Sequence, residues 1–462
     1  MTNLRFSLVT AVVTPLAALL ACSSSEDHPA PAPCNVAAQS GCDQGTVCES
    51  LESGATACFS PVVVTGHVRR SSDQTAIAGA RIFARDINGA SVSRKAAVSD
   101  AAGAYTLELP ATRKADGTPM LGATLLRADA SGFASFPGGL RAAVPLDLAS
   151  VTKNAAGAYA VANASADVEL DALAETRALG TIRGTITAPD AVGSLVVAGG
   201  ATALAERDGT FVVFNVPAGS QEVRGYRAGL SLKPATATVT AGADTTGVVL
   251  AIDSAPLATV SGDVSFVNAS ASSTSVVLVV KSTFNATIAR GEVPAGLRAA
   301  NVSGKYSFAN VPAGQYVVLA AFENDGLVRD PDTSIGGTTT QEITVGSSPV
   351  VVPSFKITGA LAVVRPGGAA PEIVNGTPTF VFKDDSSEDG YELRVFDGFG
   401  KVIWEKLDVP AVMGSSDVSV VYGGPALSKG YFQFRATSFR AKQGGKTYIS
   451  ATEDLQGVFI VH

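Results

Sequence analysis

From Pro61 to the end, the chain is cut every eight to twelve residues or so by Gly, Pro, Asn and Asp, and the runs between the cuts are short and rich in β-branched residues. Segments that short cannot hold amphipathic helices of ordinary length, so the rhythm predicts antiparallel β-sandwiches or barrels. One phrase recurs: SDAAGAYTLELPA from Ser99, RDGTFVVFNVPAG from Arg207 and VSGKYSFANVPAG from Val302. The central glycines, Gly103, Gly209 and Gly304, lie about a hundred residues apart, so the repeating unit is a whole domain and not one coil of a solenoid.

Each phrase reads as a turn, a strand and a second turn. Asp100 with Gly103, and Asp208 with Gly209, supply a tight turn in which glycine adopts positive φ. In the first copy Tyr105, Leu107 and Leu109 alternate with Thr106 and Glu108, one face inward and one in water. Val216-Pro217-Ala218-Gly219 and Val311-Pro312-Ala313-Gly314 then place Pro and Gly as a type I turn requires, with a new strand directly after. Upstream stand the strand openings Gly66-His67-Val68, Gly184-Thr185-Ile186 and Gly262-Asp263-Val264, and the first copy adds Gly79-Ala80-Arg81-Ile82. Together these motifs resemble the carboxypeptidase regulatory-like domain, a transthyretin-like Greek-key sandwich of the starch-binding-like fold group. The resemblance covers residues 61–357 and implies fold far more than function. From Gly359 the text changes to TPTFVFKD, GYELRVFD, KVIWEKL, DVSVVY and GYFQFRATSF, with a hairpin turn at Asp397-Gly398-Phe399-Gly400. This stretch is similar to fibronectin type III or immunoglobulin-like sandwiches, which implies that Trp404 packs in the core between two sheets.

The N-terminus sets the address. A single early cation, Arg5, precedes an apolar run from Phe6 to Leu20 that is too short to span a bilayer and is interrupted by Pro15. Leu19-Leu20-Ala21-Cys22 resembles the bacterial lipobox, which implies cleavage after Ala21, lipidation of Cys22 and anchorage in the cell envelope, with Ser23 pointing to the outer membrane. The following Ser, Pro and Ala residues read as an extended tether. Four cysteines remain, Cys34, Cys42, Cys48 and Cys58, in a stretch too short and polar to bury a core. Clustered even thiols in an exported chain predict two disulfides, and the spacing allows three connectivities. A zinc site is the competing reading, disfavoured by the oxidising compartment and the lack of CxxC pairs. The segment is expected to behave independently of the sandwiches.

The expected organisation is therefore all-β: tandem antiparallel Greek-key β-sandwich domains after a lipoprotein signal peptide and a small disulfide-rich segment, strung out on a tether. Its parts are a signal peptide 1–21, tether 22–33, disulfide-rich segment 34–60, carboxypeptidase regulatory-like sandwich 61–175, sandwich repeats 176–256 and 257–357, and an immunoglobulin or fibronectin type III-like sandwich 358–462.

Functional motifs are mostly excluded. With 34 basic and 41 acidic residues and a pI near 5.2, the chain has no electrostatic footprint for nucleic acid. The only histidines are His28, His67 and His462, none with a glutamate three residues on, and there is no HExxH, GxSxG or Walker-type sequence. Ser150-Val151-Thr152-Lys153 matches SxxK, but turn residues around Asn154 and Gly157 predict no helix to carry a nucleophile. Asp385, Ser387, Asp389 and Gly390 imitate a calcium loop whose twelfth position, Phe396, cannot ligate, so a hairpin loop is expected. No catalytic residue, metal ligand or cofactor is assigned. The expected role is a non-enzymatic surface scaffold or binding protein, with the membrane, through Cys22, and envelope proteins or polysaccharide as partners. The alternative is a carbohydrate-binding lipoprotein that retains polysaccharide. It would stack sugars on aromatics, for which Tyr226, Phe284, Phe133 and Phe136 are candidates, although each is more often a core or turn residue.

Overall fold

The computed structural model describes residues 34–461 except 37, 87–91, 123, 138–145, 147, 149–150, 155–156, 268–272, 288, 322–325, 330, 332–339, 386 and 413–416. Cys22, the leader and the tether, with Ser150, His28 and His462, lie outside the described residues. The architecture is all-β, as the punctuation predicts, and four pairs of sheets follow one another along the chain. No helix of the described residues is long and apolar enough to cross a membrane.

The three copies of the phrase share one construction. Strands Val62–Arg70, Leu179–Ile186 and Ala258–Phe266 each lie in the middle of a sheet. On one side each pairs antiparallel with the phrase strand: Ala104–Leu109, Thr210–Pro217 or Lys305–Val311. On the other it pairs parallel with late strands of its unit: Tyr159–Val161 with Val168–Leu170, Asp244–Leu250, and Val350–Val351 with Phe355–Gly359. In each unit one flank of the opening strand is thus parallel while the other ladders are antiparallel, because opening and closing strands run the same way.

The recurring glycine and aromatic residue are partners. Gly66 lies opposite Tyr105, Gly184 opposite Phe211 and Gly262 opposite Tyr306. A Cβ at any of the three glycines would overlap the facing ring or a backbone carbonyl. An aromatic ring laid across a strand glycine restores the side-chain contact that the glycine lacks. The turn that precedes the aromatic is fixed the same way each time, by Val68 N–H to Gly103 O (2.8 Å), Ile186 N–H to Gly209 O (2.8 Å) and Val264 N–H to Gly304 O (2.9 Å).

The second sheets close the sandwiches. Arg81–Asp86 lies between Ala97–Val98 and Thr124–Asp129; Leu195–Ala198 between Ala201–Leu204 and Gly219–Tyr226; Thr274–Val280 between Arg298–Val302 and Gly314–Ala320. Two of these central strands show no alternation, Leu195–Ala198 and, after an opening Thr274-Ser275, Thr274–Val280, and every residue in them is buried. Both faces of such strands must be covered. In Leu195–Ala198, Val196 and Ala198 enter the core of their own unit, while Leu195 and Val197 join a second cluster that contains the core of the third sandwich and Phe83 and Ala96 of the first.

The fourth sandwich pairs Val363–Arg365, Thr379–Lys383 and Asp417–Val421 against a sheet ordered Glu372–Val374, Val458–Val461, Gly430–Lys442, Gly390–Asp397 and Val402–Pro410. Trp404 is half-buried and not in the core interior as expected. It faces Phe380 (6.3 Å) and Tyr422 (5.0 Å) of the opposite sheet, but its strand is the edge of its own, which leaves one side of the indole open.

Candidate functional site: the joints between sandwiches

The N-terminal segment is a hairpin, Val47–Ser50 against Thr56–Phe59, closed by disulfides Cys34–Cys48 and Cys42–Cys58. Sulfurs of Cys34, Cys42 and Cys58 lie close together, but all are bonded in disulfides and offer no thiolate to a metal. The segment is not independent. Glu49 and Arg113, each 1% exposed, bind one another at 2.5 Å across the boundary with the first sandwich. Glu49 also accepts from Ala111 N–H (2.9 Å), and Arg113 donates to Ser60 O (2.8 Å) and stacks on Phe59. Separating the two parts would leave a buried charge unpaired, which explains why the disulfide hairpin docks instead of moving freely.

The joints between sandwiches are themselves repeated. After a strand of its second sheet each unit turns through a glycine with φ near 80°: Gly132 (82°), Gly229 (83°) and Gly326 (80°). Each of these N–H groups donates to the next unit, Gly132 to Asn215 Oδ1 (2.7 Å), Gly229 to Asn310 O (2.8 Å) and Gly326 to Glu453 Oε1 (2.7 Å). Asn215 (φ 61°) and Asn310 (φ 58°) occupy the same place in the phrase, directly before Val-Pro. The left-handed backbone favours Asn there. The Asn215 amide also donates to Ala130 O (3.0 Å) and Phe133 O (2.8 Å), so one side chain clamps the whole loop of its neighbour.

Charged residues then bring non-adjacent units together. Arg127 of the first sandwich, 1% exposed, forms an ion pair with Asp129 (2.8 Å), donates to Thr202 Oγ1 of the second (2.9 Å) and reaches Glu292 of the third (2.7 Å). Arg81 pairs with Glu206 across the same junction. Between third and fourth, Arg290 donates to Gln433 (2.9 Å), while Asp454 is surrounded by Arg290, Arg329 and Arg435. Arg329 Nη1 lies 2.8 Å from Asp454 Oδ2, a contact that meets the ion-pair distance but not the geometry of a hydrogen bond. Burial alone would raise this carboxyl, but the three arginines outweigh it and hold it well below the usual carboxylate range.

The fourth sandwich also returns to the first. Asp171 is bonded by Ser71 and lies against Gly398 and Gly430, where a Cβ at Gly398 would overlap its carboxylate. Phe136 and Tyr431 meet beside it with ring centroids 6.3 Å apart. Burial pushes the Asp171 carboxyl up; the Ser71 bond opposes this, and the negative charges of Asp397 and Glu169 add to it. The sandwiches therefore form a packed cluster and not the string that their tandem order suggests.

A cleft of about 460 Å³ opens where the first and second sandwiches meet, lined by Arg70, Arg183, Phe133, Phe214, Ile77 and Gly79 among others. The remaining sequence candidates scatter. Tyr226 is buried against Tyr316, and Phe284, Phe133 and Phe136 are half-buried, so no shared platform forms among them. Thr152–Lys153 is a strand, which leaves the SxxK match without a helix. Asp385 and Asp389 accept from Ser438 Oγ (2.5 Å) and Ala441 N–H (2.7 Å), as members of a hairpin loop. His67 pairs with Asp167 at the surface (3.3 Å), and among the described residues no hydroxyl or thiol bonds its ring.

No family model matches the chain, and no curated protein matches it. Among solved structures, the Bacillus anthracis TIE protein is 10% identical (TM-score 0.15; 95% of this chain, 75% of that one). A DUF3823 family protein from Bacteroides ovatus is 16% identical (TM-score 0.19; 44% and 99%). A minor pilin of Streptococcus agalactiae is 13% identical (TM-score 0.18; 38% and 95%). Likenesses at this level speak neither to activity nor to the arrangement of the sandwiches.

Proposed function

We propose that the protein is a non-enzymatic, lipid-anchored scaffold of the bacterial cell envelope, three carboxypeptidase regulatory-like sandwiches and one immunoglobulin-like sandwich held as a single body on a Cys22 tether. The observation that carries this reading is the investment in joints. Buried arginines and carboxylates tie the first sandwich to the disulfide hairpin, the second and the third, and the third to the fourth. Such pairs add little net stability over apolar packing and instead fix geometry, which suits a protein that must present surfaces at set positions. The lipobox-like Leu19-Leu20-Ala21-Cys22 supports the envelope address. Fractionation of cells that express the full chain tests it: the wild-type protein should incorporate labelled palmitate and partition into detergent, and Cys22→Ser should do neither. Detergent partitioning of Cys22→Ser would refute the anchor.

A further inference from the structure

We propose that the cleft between the first and second sandwiches is a binding site for a carboxylate carried on an apolar side chain, the chemistry of a polypeptide C-terminus that ends in a hydrophobic residue. Its volume, about 460 Å³, is ample for one or two residues. Two guanidinium groups border it. Arg70 makes one ion pair with Asp73 (3.3 Å) and Arg183 one with Asp244 (2.6 Å), both half-exposed. Among the described residues the terminal nitrogens of Arg183 have no partner, and Arg70 Nε is buried without one. Arginine donors in a planar fork match a carboxylate. The rest of the lining is apolar: Phe133, Phe214, Ile77, Ala76 and Ala78, with Ser131 the one hydroxyl. The lining side chains include no carboxylate or amide to accept from sugar hydroxyls, whereas a hydrophobic terminal side chain needs only the phenyl faces.

The site is preorganised. Asn215 clamps the backbone of Ala130, Gly132 and Phe133, the loop that brings Ser131 and Phe133 to the cleft, and its neighbour Phe214 also lines it. Arg70 is stacked on Phe133 at 5.7 Å, so the clamp also sets the guanidinium. Asn215 is a positioning residue. Rigid walls and a fixed cation lower the ordering cost of binding.

Calorimetry of the full chain in detergent with acetyl-Ala-Ala-Val-Leu as free acid tests this. The free acid should bind, and its C-terminal amide should bind at least tenfold more weakly. Arg70→Gln and the more exposed Arg183→Gln should each lose at least tenfold, with unchanged circular dichroism for Arg183→Gln to exclude unfolding. Asn215→Gly, which tolerates the positive φ, should weaken the acid by several-fold. Equal affinity for acid and amide, no binding of the acid, or binding unaffected by Arg183→Gln would overturn the proposal. So would tighter binding of hydrocinnamate, a free small acid, or of oligogalacturonate, an acidic glycan.

Discussion

The fourth sandwich is held by two contacts of opposite electrostatic design. Against the third sandwich, Asp454 lies buried among Arg290, Arg329 and Arg435, and its carboxylate form is strongly favoured. Against the first, Asp171 meets two glycines, one serine and two further acids, and burial pushes its carboxyl above the usual range. The signs follow by linkage. A depressed carboxyl contributes stability above its unfolded pKa that is lost as pH falls through the folded value; a raised one contributes stability at low pH that is lost as pH rises through the folded value. Between the ordinary carboxylate range and the raised value of Asp171, acidification should tighten the first–fourth contact and leave the third–fourth contact intact.

The largest test of that contrast is Asp454→Ala, which strands three arginines in a dry junction. It should lower stability by about 3–5 kcal/mol in denaturant titration; a loss below about 1 kcal/mol would mean that the arginines are solvated. Next is Gly398→Val, which drives a side chain into Asp171. We expect a cost of about 1–3 kcal/mol, with hydrogen exchange faster around Phe136 and Tyr431 and unchanged around Gln433. Loss of protection at both contacts would show that they do not act separately. A smaller effect is expected at Asn215, where Asn215→Gly should cost less than Asn215→Ala, because Gly tolerates φ of 61° and Ala does not. The glycine variant reports the clamp alone, about 1 kcal/mol or somewhat more for its hydrogen bonds. Smallest is Asp171→Asn, which should be near neutral at acid pH, mildly stabilising at neutral pH, and should abolish the acid-tightened exchange protection at Tyr431. An unchanged pH profile would remove Asp171 as its source.

Local features carried the fold in the sequence. Gly103, Gly209 and the Tyr105 alternation specify turns and strand faces over a few residues, so the all-β reading follows from them. The runs at Leu195–Ala198 and Thr274–Val280, buried on both faces in the fold, were passed over in the sequence. The joints were hidden for a physical reason. Asn215 and Asn310 look like ordinary turn residues, and Arg127, Glu292 and Glu49 look like solvated charges, because their partners belong to other units and nothing local marks them. The Asp397-Gly398 turn was legible as a hairpin, but its second role, admitting Asp171, depends on a residue far upstream. Trp404 was placed too deep because its strand position, central or edge, cannot be read from its neighbours. The arginines of the cleft were overlooked for the same reason as the joints.

The buried joints make one body of the four sandwiches. Nitroxides at Glu108→Cys of the first and Lys406→Cys of the fourth, both on exposed strand positions, measure it directly by pulsed electron resonance. If the sandwiches are one body, the distance distribution is single, narrow and unchanged by dilution. A broad distribution spread over tens of ångströms, as flexible linkers between independent domains would give, would contradict it.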